Sequence, residues 1–471
     1  MGKQKKNCIV FTPNDIAVEM LDLLKYTGDL LGKKVLENSC GEGHILMEIV
    51  ARYIKDCRRN GYKDNQICSG LEQDIYGFEI NENTYETCLY NLNDLLKNYS
   101  LPNINWNIRK EDALKAKLPP IFSYVVGNPP YITYSALSIE DRNYIKKNFS
   151  VCTEGKPDYY YAFIESAIKS LNENGRFVYL VPSNFFKTKF AQKLREYIQP
   201  TLHEIYDYKE KRIFETTLTS SAILVLDKSA IVSEVEYHDV VNNRIINIKK
   251  KNLVEKWIFA ANGSQKKDNL KWIRFGDLFK ASSAIATLYN EAYIIKPNSD
   301  EYKLIEKRVL RLAASPKSYA NKKVEYIIFP YYYDKAGNVK RYSADEFGNR
   351  FPHTVLHLKR YSDKLKNRDS DKTATWFEYG RSQAISHLNQ CKLLLSTLVT
   401  GKLKIYELDE YTIPYSGIYI VAKSGNSLSD AKRILESKDF LAYIKKVGIN
   451  ANGKSIRIAI QDINNYQFHE L

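Results

Sequence analysis

The stretch LENSCGEGHIL, residues 36–46, decides the fold. A short β run, Lys34-Val35-Leu36, reaches an acidic residue, Glu37, and Gly41-x-Gly43 then leads into a helical pattern. Strand, glycine turn and helix in that order open a doubly wound α/β unit, because glycine lets the backbone turn tightly and approach a ligand. The third glycine of the dinucleotide fingerprint is missing, so the loop alone names no cofactor.

The same rhythm runs downstream. IYGFEI (75–80), FSYVVGN (122–128), GRFVYLVPS (175–183) and SAILVLDKS (221–229) read as further strands. Helical patterns NENTYETCLYNLNDLLKNY (81–99) and DYYYAFIESAIKSLNENG (158–175) lie among them. In the second, Tyr160, Phe163, Ile164, Ala167 and Ile168 fall at helical spacing, and Asn174-Gly175 reads as the C-cap. This alternation predicts an α/β domain on an open, mostly parallel sheet covered on both faces. ANGSQKKDN (261–269) is polar and turn-rich and reads as a linker, giving domains at 1–262 and 263–471. Beyond it the alternation fades, and aromatic runs such as YIIFPYYYD and TWFEYGRSQ take over.

Acids mark the strand tips. Glu37 follows the first strand, Glu79 ends the second, and RKEDAL places Asp112 at the tip of another. A carboxylate at the second strand's tip suits the ribose hydroxyls of a nucleoside. Acids are common in loops, but their shared position after strands points to one nucleoside site.

VVGNPPYITY (125–134) carries the chemistry. An exocyclic amine on a base is a poor nucleophile, because its lone pair is delocalised into the ring. Acceptors for both amine hydrogens favour a more tetrahedral nitrogen, an electrostatic strategy worth on the order of 3 kcal/mol per group. Asn128 supplies a side-chain carbonyl and Pro129 a backbone carbonyl with no neighbouring N–H donor. Pro130 restrains Pro129 to an extended conformation. Tyr131 can stack on a flat base, worth roughly 1–3 kcal/mol. The alternative is a proline-rich turn after a strand.

Composition narrows the setting. The chain has 471 residues, 44% of them apolar, enough for two or three globular domains. No run approaches 18 apolar residues, no secretory signal opens the chain, and no membrane association is expected. Seven cysteines, an odd number without a Cys-x-x-Cys pair, fit reduced thiols in a cytoplasm. Residues 1–260 carry 35 Lys and Arg against 33 Asp and Glu, and residues 261–471 carry 35 against 22. The positive excess therefore sits in the second half, where a polyanion would bind.

These motifs, in this order, resemble the gamma-class N6-adenine DNA methyltransferases of restriction–modification systems. Phe11-Thr12-Pro13 resembles that family's opening motif, against the methionine part of S-adenosylmethionine. Glu37 through Gly43, with Ser39 and Gly41, resembles the cofactor loop. Glu79 with Ile80 resembles the ribose-binding acid, and Asp112 with Ala113 the acid that meets the cofactor's adenine amine. Asn128-Pro129-Pro130-Tyr131 matches the catalytic motif, with Asn128 also beside the cofactor. Phe163 resembles the aromatic flanking the cofactor adenine. Phe214, in KRIFETTLTSSAILVL, resembles the one packing on the extruded adenine opposite Tyr131. RFGDLFKASSAIATLYNEAYII resembles the start of the recognition domain, with Ser283 and Leu288 where glycines are usual. Asn38 stands where proline is usual, and His44 reads as a helix-start residue.

The resemblance implies a Rossmann-like S-adenosylmethionine-dependent domain and a C-terminal α+β target recognition domain. It implies a site-specific, adenine-specific DNA methyltransferase that flips its base from double-stranded DNA. Arg341, Arg350, Lys359, Arg360 and Arg381, in the densest basic and aromatic stretches, are candidate DNA contacts. A separately acting cognate restriction endonuclease is a conceivable partner, and a monomer in the cytoplasm at the nucleoid is expected. No metal is implied, and His353 and His357 in HTVLH lack an evident third ligand. The rival reading is a protein glutamine or RNA adenine N-methyltransferase using the same motif, which the large basic second half disfavours. Fused restriction enzymes usually carry their nuclease before the cofactor motifs. Ten residues precede Phe11, so cleavage is not expected.

Overall fold

The computed structural model describes residues 11–214, 220–259, 272–451 and 455–469. The linker read at 261–269 and the ETTLT segment (215–219) lie outside the described residues. The chain divides into two compact units, Met1–Gln265 and Lys266–Leu471.

The first unit is built on nine strands: β1 (Val35–Glu37), β2 (Ile75–Glu79), β3 (Asn107–Lys110), β4 (Phe122–Gly127), β5 (Leu171–Pro182), β6 (Leu202–Asp207), β7 (Ser221–Asp227), β8 (Glu234–Asp239) and β9 (Arg244–Lys249). They lie in the order 3-2-1-4-5-7-6-8-9. The pairs from β3 through β5 are parallel, and β7 runs antiparallel to both β5 and β6. Its helices are α1 (Asn14–Leu23), α2 (His44–Arg59), α3 (Asp64–Asp74), α4 (Glu82–Asn98), α5 (Ile139–Asn148), α6 (Tyr160–Ser170) and α7 (Gln192–Ile198).

Neighbouring residues on the central strands enter opposite cores. Leu36, Val125, Phe177 and Tyr179 pack with α6, whereas Val35, Val126, Val178 and Leu180 pack with α1, α2 and α4. With both faces buried, the strands read as unbroken apolar runs. The strand order reverses between β1 and β4, and in open α/β sheets the crevice beyond the carboxyl ends at such a point holds the ligand. Glu37, Glu79 and Gly127 end β1, β2 and β4 at that edge.

Two readings need correction. Helix α6 stops at Ser170, and Leu171 already pairs with Phe122 in β5. Gly175 is therefore a strand residue: a Cβ there would lie 2.9 Å from the Phe122 carbonyl oxygen, so close strand approach requires the glycine. Strands β6, β8 and β9 were not anticipated. Their sequences, LHEIYD, EVEYHD and RIINIK, mix charges with apolar residues at the sheet's margin. Beyond β9 the chain stays with this unit, where Trp257 donates its amide to the Phe186 carbonyl at 2.8 Å and packs on Phe185 and Phe186.

The second unit mixes sheets and helices. An antiparallel sheet takes Phe279–Ser283, Ile418–Ala422, Lys392–Leu395 and Ile405–Leu408 in that order. Helices Leu428–Glu436 and Lys438–Val447 bury Ile434, Phe440 and Ile444 in the same core as Leu393, Ile418 and Ile420. A second sheet joins Ile294–Ile295, Tyr326–Ile328, Leu310–Ala314 and Ile413–Pro414. Leu288 has φ +59°, a left-handed conformation uncommon for a residue with a side chain.

Candidate active site

The loop between β1 and α2 turns on two glycines in the left-handed region, Gly41 at φ +55° and Gly43 at φ +86°. Gly43 is also pressed by α4: a Cβ there would lie 2.8 Å from Cys88 Sγ. His44 is the first residue of α2, as expected. The second acid is tied to this loop, since Glu79 Oε2 accepts from the Gly41 amide at 3.2 Å and Oε1 from the Asn81 amide at 2.7 Å.

Glu37 is 2% exposed, and its Oε2 has no hydrogen-bond partner. Burial pushes its carboxyl well above the ordinary carboxylate range, with Cys88 and Glu79 adding to the rise and the Leu46 amide of α2 opposing it. A cation at that oxygen would stabilise its ionised form. Asp112 lies half-buried beyond β3, with Oδ1 accepting from the Leu114 amide at 3.0 Å and Lys115 at 3.7 Å from Oδ2. On the facing segment, Tyr159 and Phe163 meet edge to face at 5.3 Å. Asp112 helps to raise the Tyr159 hydroxyl, after the larger effect of burial, which sets acid and aromatics in one neighbourhood. Ala113 is buried and Ile80 exposed.

Asn128 follows β4 directly. Its Nδ2 donates to Thr12 Oγ1 at 3.2 Å, and Ser39 Oγ donates to its backbone carbonyl at 3.3 Å. The opening motif, the cofactor loop and the Asn-Pro-Pro-Tyr segment therefore meet at one residue. Pro129 is buried, and the Ile132 amide closes a tight turn on the Pro130 carbonyl at 3.0 Å. Tyr131 is half-buried and anchored, its hydroxyl donating to the Leu180 carbonyl at 3.1 Å. The segment ahead of α6 supports the loop, with the Tyr159 amide on the Ile132 carbonyl at 2.9 Å.

Tyr131 and Phe214 are neighbours, but not as parallel plates. Their centroids lie 6.2 Å apart with planes at 68°. A base sandwiched between two rings needs planes roughly 7–8 Å apart, twice a carbon–carbon contact. The rings here meet edge to face, so a base stacked between them would require the pair to open.

Two side chains without a sequence-assigned role, Asn38 within the cofactor loop and Tyr179, join these elements. Asn38, 1% exposed, donates Nδ2 to the Phe163 carbonyl at 3.4 Å and accepts at Oδ1 from the Tyr179 hydroxyl. Tyr179 stands opposite Gly127 in register, and its ring fills the space a Cβ at Gly127 would need, 3.1 Å away. An aromatic crossing over a strand-end glycine was the available sequence signal, but it needs the β4–β5 register to be read.

In the second unit the five basic candidates are not equivalent. Arg381 is paired with Asp369 and Asp371, both at 3.0 Å, Arg350 with Glu346 at 3.0 Å, and Arg341 lies 3.6 Å from the buried Glu378. Lys359 and Arg360 are exposed. His357 Nε2 lies 3.0 Å from the Ala292 carbonyl, and burial lowers its pKa, so it does not pair with the exposed His353. Among the described residues, Glu204, Glu236 and His238 have ligand atoms within 4.8 Å of one another. Glu204 is already held by Arg176 at 3.1 Å and Tyr206 at 2.8 Å, which reads as an ion-pair network.

Sheet order, glycine loop and acidic strand ends define the first unit as a domain of the S-adenosylmethionine-dependent methyltransferase class, for which S-adenosylmethionine is the expected cofactor. Residues 73–214 match the Eco57I restriction-modification methylase family, a span that includes Glu79, Asp112, Asn128, Tyr131, Phe163 and Phe214. The chain is 29% identical over 259 residues to the Type II methyltransferase M.BstVI of Geobacillus stearothermophilus, covering 50% of this chain and 45% of that protein. It is 23% identical to the Type II restriction enzyme and methyltransferase RM.Eco57I of Escherichia coli, over 91% of this chain and 54% of that one. The chain thus spans about half the length of these curated relatives. Its fold follows that of the Type IIL restriction-modification enzyme MmeI, solved in complex with DNA, at a TM-score of 0.63 and 13% identity over 96% of this chain and 65% of that one. The resemblance to the gamma-class N6-adenine DNA methyltransferases of restriction–modification systems holds.

Proposed function

We propose that this chain is a site-specific DNA methyltransferase that moves a methyl group from S-adenosylmethionine to N6 of a flipped-out adenine in duplex DNA, as the modification enzyme of a restriction–modification system. The observation that carries this reading is the Asn128-Pro129-Pro130-Tyr131 turn at the end of β4, with the Asn128 amide held by Thr12 beside the acidic strand ends. S-adenosylmethionine, when bound, supplies an electrophilic methyl group on a sulfonium.

The chain's own groups suit each part of that molecule. The unpartnered Glu37 oxygen would take an ammonium, and the positive end of the α2 dipole, at His44, favours a carboxylate. Glu79 would accept from ribose hydroxyls and Asp112 from an adenine amine, with Phe163 along the purine. On the target side, Asn128 Oδ1 and the Pro129 carbonyl would accept from the two amine hydrogens, aiming the nitrogen lone pair at the methyl group. Tyr131 would stack on the base and offset part of the few kcal/mol that flipping costs. The basic second half would hold phosphates.

Sequencing a host genome for N6-methyladenine with and without this gene tests substrate and site together. A methylated motif that disappears on deletion, and is not restored by Asn128→Ala, supports the reading. Labelled methyl appearing on protein or RNA and never on duplex DNA overturns it.

A further inference from the structure

We infer that Asn38 and Tyr179 form a positioning pair that sets the adenosine end of the cofactor site. The inference rests on the cofactor reading above. Asn38 is one residue beyond Glu37, Phe163 lies on α6, and Tyr179 lies on β5, with β4 between β5 and β1. A side chain on β5 reaches the end of β1 only by crossing β4. Tyr179 does so over Gly127, its register partner, where a Cβ would stand 3.1 Å from the ring.

The polarity of the link is determined. The Phe163 carbonyl can only accept, so the amide's NH2 end faces it at 3.4 Å. The carbonyl end then takes the Tyr179 hydroxyl, which must donate. Both side chains are buried, Asn38 at 1% and Tyr179 at 0% exposed, so neither has water as a substitute partner. The pair thus couples three elements: the strand end carrying Glu37, the helix carrying Phe163, and the strand backing Gly127 just before Asn128. Neither side chain is assigned contact with substrate or cofactor. Their action is on the distance between the glycine loop and Phe163, the two walls around the adenosine moiety.

Calorimetry of the full chain with S-adenosylhomocysteine and with 5′-methylthioadenosine, which lacks the amino-acid end, tests this. Asn38→Ala and Tyr179→Phe should each weaken both ligands by the same factor, roughly tenfold, at full binding stoichiometry. Glu37→Gln should weaken S-adenosylhomocysteine alone. Unchanged dissociation constants in the variants, or a fall in stoichiometry without a change in affinity, overturn the pair as a positioning device and make it merely structural. If Asn38→Ala does not fold, Tyr179→Phe, which removes one oxygen and keeps the ring, decides the question. A wild-type chain that binds neither ligand overturns the cofactor reading itself, and the inference with it.

Discussion

Asn128 Nδ2 donates to Thr12 Oγ1 at 3.2 Å, joining residues 116 positions apart. An amide free to turn over presents a donor to the substrate as readily as an acceptor. The threonine holds the NH2 end, and the carbonyl end lies on the other side. Thr12→Val keeps the shape and loses the acceptor. It should slow single-turnover methyl transfer roughly tenfold at saturating cofactor, the worth of about one such hydrogen bond. Thr12→Ser, which keeps the hydroxyl, should stay within about threefold. Equal rates for Thr12→Val and the wild type would remove Thr12 from the orientation of Asn128.

Glu37 predicts a pH dependence of cofactor affinity. Its carboxyl is raised well above its ordinary value of 4.5 by burial, so the folded chain favours the neutral acid. The linked cost to stability is absent below the unfolded value, grows as pH rises from there, and levels off above the folded value. An ammonium ligand needs the carboxylate, so its affinity should rise with pH, by up to about tenfold per unit, until Glu37 ionises in the free protein. The rise should fall above the usual carboxylate range. Titration of S-adenosylhomocysteine binding across pH would show it, and Glu37→Gln should flatten the curve.

Much of this site was legible in residues 36–46 and 125–134, because strand ends in a doubly wound sheet place chemistry directly after an apolar run. Strands β4, β5 and β7 are buried on both faces and stood out for that reason. Strands β6, β8 and β9 did not. Glu204 and Tyr206 on β6 face Glu236 and His238 on β8, and these polar residues mask the strand signal. Asn174-Gly175 looked like a helix cap because local sequence does not reveal that Phe122 approaches Gly175. Tyr179, and the partners of Asn38, were silent for the same reason, since their contact exists only once β1, β4 and β5 are side by side. Leu288 shows the converse, a left-handed residue whose identity hides its conformation.

The two loop glycines should respond differently to substitution. A Cβ on Gly41 meets nothing within 4 Å, so Gly41→Ala carries only the left-handed penalty, roughly 1–2 kcal/mol. On Gly43 the same penalty is joined by a clash at 2.8 Å with Cys88 Sγ. Gly43→Ala should therefore lower Tm more than Gly41→Ala, at about 2–4 °C per kcal/mol for a unit of this size. Adding Cys88→Ala should recover part of the loss for Gly43→Ala and none for Gly41→Ala. Equal melting temperatures for the two single variants would contradict the contact.

The basic candidates of the second unit should separate by salt dependence. A cation that neutralises a phosphate releases a condensed counterion and contributes roughly 0.9 to the slope of log affinity against log salt. Lys359 and Arg360 are exposed and adjacent, so replacing both with alanine should weaken binding to all duplexes alike and reduce the slope by about 2. Arg381 is held by Asp369 and Asp371, a trio with a net charge of the wrong sign for DNA. Its replacement by alanine should leave the slope unchanged unless DNA binding breaks both ion pairs. Fluorescence anisotropy of a labelled duplex across salt concentrations distinguishes the cases. A slope that falls by about one for Arg381→Ala and stays fixed for the Lys359 and Arg360 double variant would reverse the assignment.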